Sequence, residues 1–188
     1  GLRAFDLRTC KPSGEPRDFS RASDRREARR YVEEEKPTWV IGSLPCTFFS
    51  RWNQTLNHGE MDPSLVEELR REAVRHLRFV IGIYKIQLEN GRHFLHEHPQ
   101  SATSWQDDAM VKLLREPKVS TTVSDQCEYG LLTPGPNGEP TPARKPTMWA
   151  SSSPHMLKRL SIRCKGGHMH QHLVGGRAKD AENYSPEL

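Results

Sequence analysis

Cys46 directly follows Pro45 and stands just beyond a short apolar run, Thr38-Trp39-Val40-Ile41-Gly42. A thiol at the carboxyl end of a buried strand sits where open α/β sheets place their ligands. Pro45 fixes the backbone ahead of the sulfur, and Gly42 permits a sharp exit from the strand. Glu97 occupies the matching place on the next expected strand, which ends in polar residues, Arg92-His93-Phe94-Leu95-His96-Glu97-His98-Pro99. A carboxyl in a partly dry cleft has a raised pKa and can hold a proton at neutral pH. Consecutive strands joined by a right-handed helical crossover lie close together, so the Glu97 carboxyl could approach the Cys46 thiol across the sheet edge. The plainer alternatives are a buried, inert Cys46 and a Glu97 that simply pairs with His96 or His98.

A second group lies near the end of the chain, Cys164-Lys165-Gly166-Gly167-His168-Met169-His170-Gln171-His172. Cys164, His168 and His170 offer thiolate and imidazole ligands close enough to share a tetrahedral zinc, and Cys127 is available as the fourth. The alternative is a polar tail with solvated imidazoles.

The elements that must position these residues alternate in type. Leu2 to Leu7 reads as a short strand, followed by a loop through Lys11 to Pro16. A helix is expected from Ser23 to Lys36, with Asp24 and Glu27 at capping-box spacing and Pro37 as its stop. Its arginines, with Arg17 and Arg21 ahead of it, read as a solvated basic face. Thr38 to Gly42 fits a buried strand. Asp62-Pro63 opens a long helix with apolar residues at Val66, Leu69, Ala73, Leu77, Val80 and Tyr84, closed by Asn90-Gly91. Arg92 to His96 is the next strand, Trp105 to Arg115 a short helix, and Val119 to Val123 another strand. Strands separated by helices predict βαβ units with a mainly parallel sheet. Beyond Gly130 the pattern changes: Pro134 to Pro146 carries five prolines and two glycines, as in a hairpin excursion. Lys145 to Ser151 reads as a returning strand and His155 to Ile162 as a short helix. Residues 1–130 are thus expected to form a partial α/β domain. Residues 131–188 add a hairpin or loop and a His- and Cys-rich tail packed on it.

Composition narrows the function classes. The 188 residues suffice for one core-bearing domain. Lys and Arg number 28 against 24 for Asp and Glu, an excess that permits a polyanionic partner without demanding one. The four cysteines are widely spaced, which argues against a secreted disulfide scaffold and for a reducing, intracellular setting in nucleus or cytoplasm. The longest apolar run, Phe79 to Ile83, is far below the ~20 residues a membrane span needs.

Pro45-Cys46-Thr47-Phe48-Phe49-Ser50 followed by Glu97-His98-Pro99 resembles the DNA cytosine-5 methyltransferase family. There one strand ends in Pro-Cys with Phe-Ser shortly after, and the next ends in Glu followed by Asn and then Val or Pro. Here His98 stands in place of the Asn, Leu44 in place of a common Pro, and the family's glycine-rich cofactor loop is not found upstream of Asp6. The resemblance implies a Rossmann-like, methyltransferase-type sheet with flanking helices, begun at its second strand and ending in an irregular His-rich region. It implies S-adenosylmethionine as cofactor, held by Asp6, Asp18, Ser43 and Pro45, and DNA as partner. It further implies Cys46 as the nucleophile toward cytosine carbon 6 and Glu97 as the group that engages ring nitrogen 3. Ser50, Arg51 and Gln54 would belong to a loop closing over a flipped base, with Lys145 on phosphate. The alternative function is a non-catalytic nucleic-acid-binding module of a mobile-element protein, braced by zinc at Cys127, Cys164, His168 and His170.

Overall fold

The computed structural model describes residues 3–5, 9–11, 13–50, 59–173, 181, 184–185 and 187–188. Four helices and six strands are present among them: α1 (Ala22–Glu35), β1 (Trp39–Ser43), α2 (Pro63–Glu89), β2 (His93–Pro99), α3 (Asp108–Leu114), β3 (Ser120–Asp125), β4 (Leu132–Pro134), β5 (Pro140–Pro142), β6 (Pro146–Ser151) and α4 (Pro154–Arg159). The sheet order is β1-β2-β6-β3, with β4 and β5 forming a separate hairpin.

β1 and β2 pair in parallel, with Ser43 opposite Glu97. β6 lies antiparallel to both β2 and β3. The sheet is therefore mixed, with one parallel pair, and the expectation of a mainly parallel sheet is corrected. The reason lies between β3 and β6. A parallel neighbour needs a crossover, usually helical, whereas this connection holds only a 3-10 turn (Gln126–Tyr129) and the β4–β5 hairpin. The chain returns in the opposite direction and inserts β6 between β2 and β3. Arg3, Ala4 and Phe5, the described part of the expected first strand, lie outside the sheet.

Asp62 caps α2 by accepting the Ser64 N–H at 2.8 Å, with Pro63 in the first turn. At ~1.5 Å per residue α2 is about 40 Å long, enough to back the sheet. Its buried stripe of Leu77, Val80, Ile81 and Tyr84 packs with Phe94, Trp105, Met110 and Leu113 in the main core. Ile83 and Ile86 pack instead with Val32 of α1. α1 lacks the expected cap: Arg21 precedes it with no side-chain bond. Asp24 is buried, receives Lys11 Nζ at 2.6 Å and accepts the Asp18 N–H at 2.8 Å. Lys11 and these hydrogen bonds hold its carboxyl down at about 2. Arg17 likewise is no solvated cation. It is buried, pairs with Glu27 at 2.8 Å and lies 4.4 Å from the centre of the Phe5 ring.

Gly42 lets β1 approach α2 closely. A Cβ built there would fall 2.0 Å from the Tyr84 hydroxyl and 3.1 Å from Val80 Cγ1. Tyr84 cannot easily move, because it is buried and hydrogen-bonded to His96 Nδ1 at 2.9 Å. Gly42→Ala is expected to lower stability by ~1–3 kcal/mol, the usual cost of overpacking. A urea midpoint equal to wild type would show that the helix and strand are not so tightly opposed.

Candidate functional site

Alternation along β2 sorts its polar residues onto two faces. His96 and His98 enter the side covered by α2 and α3: His96 meets Tyr84 and Trp105, and His98 meets Phe49 and bonds Ser104. Leu95 and Glu97 face the other side, where Leu95 packs with Trp149, Leu157 and Leu160. Glu97 is thus not the partner of either flanking histidine. Its carboxylate accepts the Ser43 hydroxyl at 2.6 Å, and only 4% of the residue is exposed.

Cys46 follows β1 at the same end of the sheet and is exposed. The residue that reaches the Ser43–Glu97 pair is Tyr184. Its hydroxyl donates to Ser43 Oγ at 3.1 Å. Burial, then the Glu97 charge, drives its phenol well above the ordinary tyrosine value, and Cys46 pushes in the same direction. Lys145 Nζ lies 5.7 Å from the Tyr184 ring centre, and the Trp149 ring lies 6.5 Å away. Ser43 and Glu97 therefore meet the Tyr184 phenol at the end of the sheet where Cys46 follows β1. Tyr184 was not anticipated from sequence, although it is the only Phe, Tyr or Trp after Trp149.

The remaining expected base-site residues are less collected. Ser50 is half-buried next to Phe49, a core residue whose carbonyl accepts the Thr103 N–H at 2.9 Å. That end of the loop is therefore anchored. Arg51 and Gln54 lie outside the described residues. Lys145, expected on phosphate, donates to the Ala181 carbonyl at 2.6 Å.

The residues assigned to S-adenosylmethionine do not form a cradle. Asp6 lies outside the described residues. Asp18 takes the Ser20 N–H at 2.8 Å and sits 3.7 Å from Arg21, while the adjacent Phe19 packs on Phe79 and His76. Ser43 is engaged with Glu97 and Tyr184, and Pro45 is exposed. No described contact brings these side chains around a common space.

Cys127, Cys164, His168 and His170 do come together, with one ligand atom from each lying within 4.8 Å of the others. Cys164 Sγ is 3.6 Å from His168 Nε2 and 3.4 Å from His170 Nε2. Metal–ligand bonds of ~2.0–2.3 Å in a tetrahedron imply edges of roughly 3.3–3.8 Å, so the donor set fits a metal ion such as zinc. Asp125 holds this loop in place. Buried at the end of β3, it accepts the Cys164 N–H at 3.0 Å, Arg163 Nε at 2.8 Å and Arg144 Nε at 3.2 Å. Burial opposes its charge, but these donors prevail and keep its carboxyl below the usual value. Burial, with Cys164 alongside, pushes the Cys127 thiol up to about 12. A bound dication would reverse that preference by taking the thiolate as ligand.

Among the described residues no helix is long and apolar enough to cross a membrane. Compared with family models, with curated proteins and with solved structures, the chain matches none.

Proposed function

We propose that the carboxyl end of β1 and β2 is a site for a cytosine base, and that the chain is a methyltransferase-type domain acting on DNA through covalent addition of Cys46. One observation carries this reading: Glu97, bonded by Ser43, stands beside Ser43 in the β1–β2 register at the end of the sheet where the exposed Cys46 follows β1. Cytosine carbon 5 is a weak nucleophile until a thiolate adds to carbon 6. The thiolate lone pair forms the S–C6 bond, and the displaced C5=C6 π pair shifts onto carbon 5 and is delocalised through carbon 4 to ring nitrogen 3. Glu97, oriented by the Ser43 hydroxyl, engages nitrogen 3 and stabilises charge that exists only after addition. S-adenosylmethionine would supply an electrophilic methyl to carbon 5. Because no described donor set fits that cofactor, the chemistry carried by this chain's own residues ends at the adduct.

Addition has a signature that needs no cofactor. In D2O the activated carbon 5 accepts a deuteron, then loses its original proton as Cys46 departs, so hydrogen 5 exchanges. Single-stranded DNA is the better substrate, because extracting the base from a duplex costs a few kcal/mol. Wild-type protein is expected to catalyse exchange at cytosine carbon 5 of an oligonucleotide. Cys46→Ala should abolish it, and Glu97→Gln should slow it by about 10²-fold or more, as for loss of an acid–base group. Mass spectrometry of the recovered oligonucleotide reads the result. Wild-type exchange no faster than that of Cys46→Ala ends the covalent reading.

We further propose that Cys127, Cys164, His168 and His170 hold a structural zinc. Four protein ligands leave no open position for a substrate. This cluster supports the second reading, a non-catalytic nucleic-acid-binding module. Its outcome in the same experiment is oligonucleotide binding without exchange.

A further inference from the structure

Charge is unevenly spread along the chain, and its basic part is the part that carries most of the metal ligands. From Pro140 to Leu173 there are six Lys and Arg and no Asp or Glu, whereas elsewhere acidic residues outnumber basic ones by 24 to 22. The fold gathers this charge around Cys127, Cys164, His168 and His170. Lys158 and Arg159 stand in the last turn of α4, and Lys165 follows Cys164. The Tyr129 hydroxyl donates to the Arg159 carbonyl at 2.8 Å, and the Asp125 N–H donates to the Ile162 carbonyl at 3.1 Å. The helix end and the metal loop are thereby fastened to the same end of β3. The Asp125 carboxylate is already matched by Arg144 and Arg163. Lys158, Arg159 and Lys165 are exposed, and no side chain among the described residues pairs with theirs. Zinc held by two thiolates and two neutral imidazoles has no net charge, so it leaves the patch cationic.

Beside these cations the loop presents an apolar side chain to water. Gly166 and Gly167 turn the chain with φ of 83° and 91°, and a Cβ on either would meet nothing within 4 Å, so the turn stands clear of the molecule. Met169 follows between the two histidine ligands and is 85% exposed, the most of any large apolar side chain among the described residues. Free cations next to an exposed methionine suit a polyanion that also carries flat apolar faces. Single-stranded nucleic acid has both, whereas a bilayer calls for a broad apolar face that one methionine does not supply. We propose that the metal loop and the last turn of α4 bind single-stranded nucleic acid, with Lys158, Arg159 and Lys165 on phosphates and Met169 against an unstacked base. The proposal rests on the zinc reading above, because the metal fixes the residue on each side of Met169, and it does not need the covalent chemistry of Cys46.

The test uses the full zinc-loaded chain and a fluorescein-labelled oligothymidylate strand, which offers Cys46 no cytosine. Anisotropy gives the affinity across a salt titration, and zinc content is measured for every variant. Each phosphate contact to a single strand contributes about 0.7 to the slope of log affinity against log salt. The triple variant Lys158→Gln/Arg159→Gln/Lys165→Gln is therefore expected to flatten that slope by about 2 and to weaken binding about 10-fold or more at low salt. Met169→Ala should bind about 5-fold more weakly at an unchanged slope, as for loss of a base contact without loss of charge. The same change of charge on α2, where Arg71, Arg75 and Arg78 are exposed, should leave the slope unchanged and the affinity within about 3-fold of wild type. A triple variant that keeps its zinc and binds like the α2 variant overturns the surface while the metal reading stands. Wild-type chain that holds no zinc fails the metal reading, and the placing of Met169 falls with it. Met169→Ala equal to wild type overturns the base contact and with it the single-strand assignment. Capture by phosphatidylserine vesicles that the triple variant loses, with no oligothymidylate bound, would give the surface to a membrane and overturn the proposal.

Discussion

One equivalent of zinc is expected to accompany the purified chain, and Cys164→Ser is expected to remove it while lowering the thermal midpoint by roughly 10 °C. The donor set is complete: two sulfurs and two imidazole nitrogens, with Cys164 already at tetrahedral-edge distances from both histidines. Structural zinc in isolated fingers carries an apparent ~10–16 kcal/mol at neutral pH, and that binding energy is folding energy. The effect here should be smaller, because part of the loop is ordered without metal. Asp125 accepts the Cys164 N–H, and the Tyr129 hydroxyl donates to the Arg159 carbonyl and accepts the Ile162 N–H. A loss of about 3–5 kcal/mol remains, at 2–4 °C per kcal/mol for a chain of this size. Amide exchange after metal removal should rise over residues 160–172 and stay unchanged in β2, whose backbone is paired on both sides. Cys10→Ser should retain full zinc. Protein that holds well under one equivalent after zinc-supplemented expression would remove the metal site.

The two halves of the molecule were unequally legible in its sequence. β1 stands out as an apolar run and β2 as a strand after the long helix, and strands so connected lie side by side by the right-handed crossover rule. That rule is why Cys46 and Glu97 could be assigned to one sheet edge, and the register of Ser43 with Glu97 agrees. α2 announced itself through Pro63, its apolar spacing and Asn90. The position of β6 was hidden, because its direction depends on how residues 126–145 fold back, and a Pro-rich stretch carries no periodic signal for that. The pairing of Glu97 with His96 or His98 fails for an elementary reason: neighbouring strand residues face opposite sides. Tyr184 reaches Ser43 from the far end of the chain, and local sequence does not specify a contact of that range. The metal cluster was legible because three of its ligands are close in sequence. Asp125, which holds their loop, reads in isolation as the end of a strand.

The histidines on the hidden face of β2 give the second large effect, a loss of about 4 kcal/mol in stability between pH 7 and pH 5. His96 and His98 are fully buried, and among the described residues the Nε2 atom of each lacks a hydrogen-bond partner. A protonated imidazole there would be an unpaired buried charge. Burial, with His98 adjacent, lowers His96 to about 3, and burial lowers His98 to about 4. In the unfolded chain both titrate near the ordinary value of ~6.5. Between about pH 6.5 and pH 4 the unfolded state therefore binds protons that the folded state refuses, and stability falls as pH falls. At pH 5 the deficit is about 2 kcal/mol for each residue, from up to 1.36 kcal/mol per pH unit per site. His76 is lowered to about 4 by burial and by Arg25, and it acts in the same sense. The zinc ligands also take up protons in this range, so the decisive quantity is a difference between variants. His98→Asn keeps a polar partner for Ser104 but cannot titrate. Its own loss of stability from pH 7 to pH 5, measured by urea unfolding, should be about 2 kcal/mol smaller than that of wild type. Equal losses in the two proteins would mean that His98 is already protonated, or already in water, in the folded state. The packed layer of Phe49, His98 and Trp105 beneath the candidate site would then not be dry.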